Sequence, residues 1–277
     1  MPPKQRPSQQ IQKIAQSLIQ SLERKAKGPR KSALLQARYV GAQNHEQRKP
    51  NEQSQLIFWG LTTPEQRALS QKNFRLTENK MLHGLELVEQ WQIWLLVFKQ
   101  TKIYDLKSIA LTWMSHTKLR QIRLKSAHDL HDLTDKIDNW AHSDSLSAML
   151  AEILEQQPYH LEKHHKWNKS KNPWQRRQSI VSIYNYARLR KNHIPPKKAL
   201  RLTEALLEDP HFYVQRAVGW TLREIDRIDP QLQRQFVEKN LEKIGATAWS
   251  ATSERYPVAL KKRLVRRRRE IKAARLS

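Results

Sequence analysis

Cysteine is absent from the 277 residues, which excludes a disulfide framework and any thiolate-ligated metal centre. Glycine is scarce, at six residues, and that argues against the tight turns of a strand-rich architecture. Acidic groups are in deficit: 26 Asp and Glu face 51 Lys and Arg, a formal net charge of +25. Long apolar runs are missing too. The longest, Trp91 to Phe98 (WQIWLLVF), is interrupted by Gln92 and falls far short of the roughly 20 apolar residues that span a bilayer. The first residues, MPPKQRPSQQ, lack the apolar segment of a secretory signal. These absences predict a cytoplasmic protein with no membrane segment.

What remains is a basic chain built from helix formers, with Leu, Gln, Lys, Arg, Ala and Glu dominant. Its charge repels the chain itself and attracts polyanions, nucleic acid and anionic membrane being the usual partners.

Helical periodicity recurs along the sequence, and no convincing strand alternation interrupts it. Ile11, Ile14, Leu18 and Leu22 mark a first amphipathic helix closed by Lys27-Gly28-Pro29. A short helix is expected around Ser32 to Arg38, then a solvated loop over 41–55. Thr63-Pro64-Glu65-Gln66 has capping-box spacing with proline at the first helical position. Further helices are expected over 82–98, 103–114, 130–140, 146–154, 174–189, 198–207, 209–229 and 230–241. Short polar links and a rough period near 40 residues in the second half suit stacked helix pairs. The expected fold is all-α: a superhelical stack of antiparallel helix pairs, a HEAT-like α-solenoid with a concave basic face. It would form one domain over 1–260, with a basic tail over 261–277 (KKRLVRRRREIKAAR within it) read equally as a solvated run or a phosphate attachment.

The most informative stretch is 209–229, DPHFYVQRAVGWTLREIDRID. Asp209 and Pro210 resemble an N-cap and first helical residue. Val214, Ala217, Val218, Thr221, Leu222 and Ile225 share one face, which leaves Arg216, Trp220, Arg223 and Arg227 on the other. An indole among arginines away from a core needs a cover, and a polyanion is the natural one. In IDNWAHSDSLSAML (137–150), Trp140 and Asp144 lie four apart, on one face if helical. Spacing alone favours a plainer alternative, in which Asp144 caps a helix restarting at Leu146 and Trp140 joins Ile137 in the core. In the segment 171–189, Arg176 and Arg177 project towards the buried side, where each guanidinium needs a carboxylate or phosphate. A structural salt bridge is the reading favoured by that segment. His160, His164 and His165 lack the further ligand of a recognised zinc spacing, and no phosphate loop, nucleophile elbow or dinucleotide fingerprint occurs. No metal or cofactor is expected.

Taken in order, ARY at 37–39, FWGLTTPEQR at 58–67, NWAHSDS at 139–145, WQRRQSI at 174–180 and above all FYVQRAVGWTLREI at 212–225 resemble the AlkD-type alkylpurine DNA glycosylases, a HEAT-like-repeat family of DNA alkylation repair proteins. The resemblance implies a monofunctional glycosylase of base excision repair, a hydrolase that releases cationic N3- or N7-alkylated purines from double-stranded DNA. It implies Asp144 as the catalytic carboxylate, Trp140 and Trp220 as aromatic walls against the deoxyribose, Arg177 as a DNA contact and Tyr39 beside the same cleft. Arg176, Arg216 and Arg223 join these as candidate DNA contacts. The protein would act as a monomer on nucleoid DNA. Some family members bind DNA without excising bases, so a catalytically silent binder of damaged or branched DNA is the alternative. A basic RNA-binding or scaffold solenoid is disfavoured by the indole–arginine face.

Overall fold

Several helices start where a polar side chain takes up the first unpaired backbone N–H groups. The protein is represented by a computed structural model that describes residues 8–23, 54–75, 82, 84–185 and 187–274. Among the described residues there are fourteen α-helices: α1 Gln9–Glu23, α2 Thr63–Arg75, α3 Leu87–Gln100, α4 Tyr104–Met114, α5 Arg120–Lys125, α6 Ala127–Leu133, α7 Trp140–Gln156, α8 Leu161–Asn168, α9 Pro173–Val181, α10 Pro196–Glu204, α11 Phe212–Ile228, α12 Pro230–Lys239, α13 Ala246–Thr252 and α14 Val258–Ala274. Among the described residues the only extended pairing is an isolated parallel bridge between Ile57 and Ile103. The all-α expectation holds. No described helix is long and apolar enough to cross a membrane.

Element boundaries moved where caps overrode periodicity. The box that opens α2 is Thr62 with Glu65, one residue earlier than expected: the Thr62 N–H and hydroxyl donate to Glu65 Oε2 at 2.8 and 2.9 Å. Gln66 turns inward instead and donates to Leu61 O and Asp105 Oδ1. The helix expected from Leu82 begins at Leu87, because Glu86 and Glu89 form a capping box there. Leu130 to Trp140 is not one helix: α6 ends at Leu133, a 3-10 turn covers Thr134–Lys136, and Trp140 opens α7. Helix α9 stops at Val181, eight residues early, where the Ser182 hydroxyl bonds back to Gln178 O. The expected helix around Ser32 to Arg38, and the loop as far as residue 53, lie outside the described residues.

The chain divides into two compact units, Met1–Leu146 and Ser147–Ser277. In the first, α3 packs against α1, α4 and α6, and α2 packs against α4. Trp91, Trp94, Phe98, Leu106, Ile109 and Trp113 are fully buried there. In the second, α11 is the central rod and packs against α9, α10, α12 and α13. Its expected apolar face is the buried one, with Val214, Ala217, Val218, Thr221, Leu222 and Ile225 all sealed from solvent. Most of the supposed tail is helix α14, whose Leu264 is buried in the same core cluster.

Candidate functional site

Helix α7 carries two of the candidate residues, Trp140 and Asp144. Asn139 caps it: its Oδ1 accepts the His142 N–H at 2.9 Å. The helix therefore starts at Trp140, six residues before Leu146, and Asp144 lies inside its second turn rather than at its N-cap. Trp140 and Asp144 stand one turn apart, both half-buried, and Trp140 is not part of the buried core. The plainer cap-and-core alternative does not describe this helix.

A largely buried polar scaffold fixes that first turn. Asn139 Nδ2 donates to His142 Nδ1 at 2.8 Å and to Asp138 Oδ1 at 3.0 Å. With Nδ1 accepting, the neutral His142 ring keeps its proton on Nε2, which faces Ser108 Oγ at 2.9 Å. Burial, then the nearby Lys107 ammonium, pull the His142 pKa down to about 3. His142 stacks on Tyr104 with centroids 4.5 Å apart, and Tyr104 stacks on Phe58 at 4.3 Å. Lys107, itself buried, donates to Phe98 O at 2.9 Å and Lys136 O at 3.3 Å and sits 4.1 Å from the Phe98 ring centroid. Desolvation lowers its pKa to about 8, against the pull of Asp138. Asp138 Oδ2 accepts from Ser54 Oγ and Gln55 N. Just beyond, Asp105 gathers the N–H groups of Trp59 and Leu61 at 2.7 and 2.9 Å; Gly60 supplies the positive φ, 82°, that lets the chain wrap this carboxylate. Phe58 to Gln66 thus braces the platform that presents Trp140 and Asp144.

In the second unit, α11 starts at Phe212, with His211 as its N-cap. Asp209 and Pro210 do not begin it. Asp209 is engaged by Arg176, whose Nη2 reaches Oδ1 at 3.2 Å and whose Nε closes the other side of a two-point ion pair. Arg176 also donates to Ser170 O and Lys171 O. The salt bridge expected for this segment is present at Arg176. Arg177 is buried, with Nη1 donating to Tyr213 O at 2.8 Å, so it steadies the start of α11 from beneath. Arg216 is exposed; Trp220 is half-buried and leans on the core cluster. The Arg223 guanidinium lies 5.9 Å from the Trp220 ring centroid and pairs with Glu224 and Glu254. Arg227 and Arg255 also approach Glu224. Burial raises the pKa of Glu224, and Arg227 and Arg223 pull it back. Much of the positive charge expected on this face is therefore neutralised locally. Tyr39 lies outside the described residues.

A family model described as "DNA alkylation repair enzyme" matches residues 33–256. The chain belongs to that family. No curated protein matches the sequence. Among solved structures, a predicted DNA alkylation repair enzyme from Enterococcus faecalis is similar with a TM-score of 0.62 at 15% identity, over 84% of this chain and 98% of that one. AlkD2 from Streptococcus mutans has a TM-score of 0.49 at 17% identity, over 79% of this chain and 98% of that one. The Enterococcus likeness establishes that this DNA alkylation repair family chain shares the helical fold of its relative.

Sequence reasoning missed Asn139, His142 and Lys107 as the supports of α7 in this family member. Asn139 carried a legible signal, an N-cap residue just before Trp140. Lys107 carried none, since its partners are two backbone carbonyls far along the chain. Among the described residues no cluster of three or more His, Cys, Asp or Glu could hold a metal ion.

Proposed function

We propose that this repair-family protein is a monofunctional DNA glycosylase that hydrolyses the N-glycosidic bond of cationic N3- or N7-alkylated purines in duplex DNA. The observation that carries the reading is the pair on α7: a carboxylate and an indole one turn apart, half-exposed, on a helix start braced from below by Asn139, His142 and Lys107. A purine alkylated at N3 or N7 is already cationic, so it departs with the bonding electrons and needs little general-acid help. Positive charge then develops on the sugar. The Asp144 carboxylate stabilises that oxocarbenium-like centre and orients the water that bonds to C1′, whose proton passes to the carboxylate or to solvent. The products are a free neutral alkylpurine and an abasic site. Trp140 adds an aromatic face that attracts the cationic sugar or base. Trp220 and Arg216, on the second unit, bind the DNA by stacking and phosphate contact. On this reading the protein acts as a monomer on nucleoid DNA in the cytoplasm.

The alternative is a family member that binds damaged or branched DNA and cleaves nothing. A duplex with a single N7-methylguanine, treated with protein and then alkali, separates the two. Strand scission by the wild type, reduced on the order of 100-fold or more in Asp144→Asn with DNA affinity retained, supports excision. Undiminished scission in Asp144→Asn removes Asp144 from the chemistry. Binding without scission by the wild type selects the silent alternative.

A further inference from the structure

Helix α14 holds more unneutralised charge than the helix that drew attention in the sequence. Eight of its seventeen residues are Lys or Arg and one is acidic. Its apolar side is turned inward: Leu264 is buried in the core cluster of the second unit, and Leu260 and Ile271 pack against it. Arg268 pins the helix, donating to Leu241 O at 3.0 Å and Ile244 O at 2.6 Å while its guanidinium sits 4.8 Å from the Trp249 ring centroid. Arg263 pairs with Glu238 and Arg266 with Glu270. Lys261, Lys262 and Arg269 are exposed and have no acidic partner among the described residues. At 3.6 residues per turn these three fall within about 100° of one another, and Lys261 and Arg269 stand about 12 Å apart along the axis. Two open depressions, of about 710 and 690 Å³, flank this stripe and share Lys261, Val265 and Arg269 as a common wall.

We propose that this face of α14 is a lesion-independent docking surface for the phosphodiester backbone of duplex DNA, with Lys261, Lys262 and Arg269 as its phosphate contacts. Their span matches about three to four base pairs at 3.4 Å each. Leu264 and Arg268 anchor the helix backbone that carries the three cations, so binding phosphates orders their side chains but not the chain itself, unlike lysines on a loose tail. An anionic membrane is a poorer fit, because a helix that lies in a bilayer surface must offer its apolar side outward, and here that side is spent on the core. The surface would hold the protein on undamaged DNA between lesions. The proposal rests on the DNA-binding half of the proposed function and not on base excision.

The test uses undamaged duplex, so a protein without glycosylase activity can still pass it. The full chain and a Lys261→Gln/Lys262→Gln/Arg269→Gln variant are titrated with a fluorescent 25-mer over a range of salt concentrations. Loss of three phosphate contacts should reduce the slope of log affinity against log salt by about 2.7. Between 50 and 200 mM salt, wild-type affinity should then fall about 40-fold more than that of the variant. A control variant, Lys197→Gln/Lys198→Gln/Arg201→Gln, removes the same charge from exposed positions on α10. Separately, duplex should protect Lys261 and Lys262 from acetylation, read by mass spectrometry. An unchanged slope, an equal loss in the control, or unprotected lysines would each overturn the proposal.

Discussion

Asn139 holds His142 at two points, accepting its backbone N–H at 2.9 Å and donating to its ring Nδ1 at 2.8 Å. One side chain thus starts α7 and fixes the imidazole beneath it. Asn139→Ala removes both bonds. Loss of the cap costs about 1 kcal/mol, and the orphaned buried ring nitrogen adds about 1 to 3 kcal/mol. Asn139→Ser keeps a capping oxygen but cannot reach the ring, so it should lose only the second part. Urea unfolding of the three proteins separates the contributions, with Asn139→Ser expected between the other two. Equal stabilities for Asn139→Ser and wild type would show that the ring contact contributes nothing.

Acid should weaken each unit through one buried histidine. His142 lies in the first unit, with its pKa pulled down to about 3, and His164 in the second, down to about 4; desolvation is the leading cause for both. Unfolded, each ring takes a proton near its ordinary value of 6.5. The unfolded chain therefore binds more protons below that pH, and stability falls as pH drops from there towards 4 for His164 and 3 for His142. Between pH 6.5 and 5 the loss is about 2 kcal/mol per histidine. Urea midpoints at pH 7 and pH 5 check this. A midpoint unchanged at pH 5 means the rings accept protons within the fold.

The residues of α11 show what a sequence can and cannot reveal. Its apolar face was legible because one-sided burial writes itself into spacing at three and four residues. Its start was not. Asp209 next to Pro210 has the composition of a cap, but its carboxylate is claimed by Arg176, 33 residues upstream, and local pattern holds no trace of so distant a partner. The neutralised arginines were more accessible, since Glu224 adjoins Arg223 and lies three residues from Arg227. Helix α14 was hidden by composition. Its apolar contacts, Leu260, Leu264 and Ile271, keep helical spacing, but the basic run around them reads as solvated tail. Trp140 and Asp144 were legible as a pair, and only the position of the Asn139 cap decides that they share a helix.

Gly219 is a point of close helix contact. A Cβ built on it would lie 2.3 Å from Ala248 O and 3.0 Å from Ala248 C, both backbone atoms of α13 that no rotamer change can clear. Gly219→Ala should therefore destabilise the protein by about 1 to 3 kcal/mol, despite the better helix propensity of alanine. Trimming the neighbour should not help: Gly219→Ala/Ala248→Gly should remain as unstable as the single variant, because the clash is with a carbonyl. Thermal unfolding of both variants tests this. Recovery in the double variant would place the conflict at the Ala248 side chain.

Trp220 distinguishes support from recognition. Its indole leans on the core of the second unit, yet stays partly exposed beside the Arg223 guanidinium at 5.9 Å. Arg223 is itself held by Glu224 and Glu254, so removing the ring leaves no unpaired charge behind. Trp220→Ala should fold and lose about 1 to 2 kcal/mol, less than full burial of a large aromatic would cost. Its affinity for duplex carrying N7-methylguanine should fall by about 5- to 150-fold, since stacking on an aromatic is worth about 1 to 3 kcal/mol per base. Trp220→Phe should recover most of both, because phenylalanine keeps a flat apolar face. Unfolding scans and fluorescence titrations on the same three proteins decide the matter. A variant that folds with unchanged DNA affinity would leave Trp220 as packing alone, and loss of the fold would show that the indole belongs to the core.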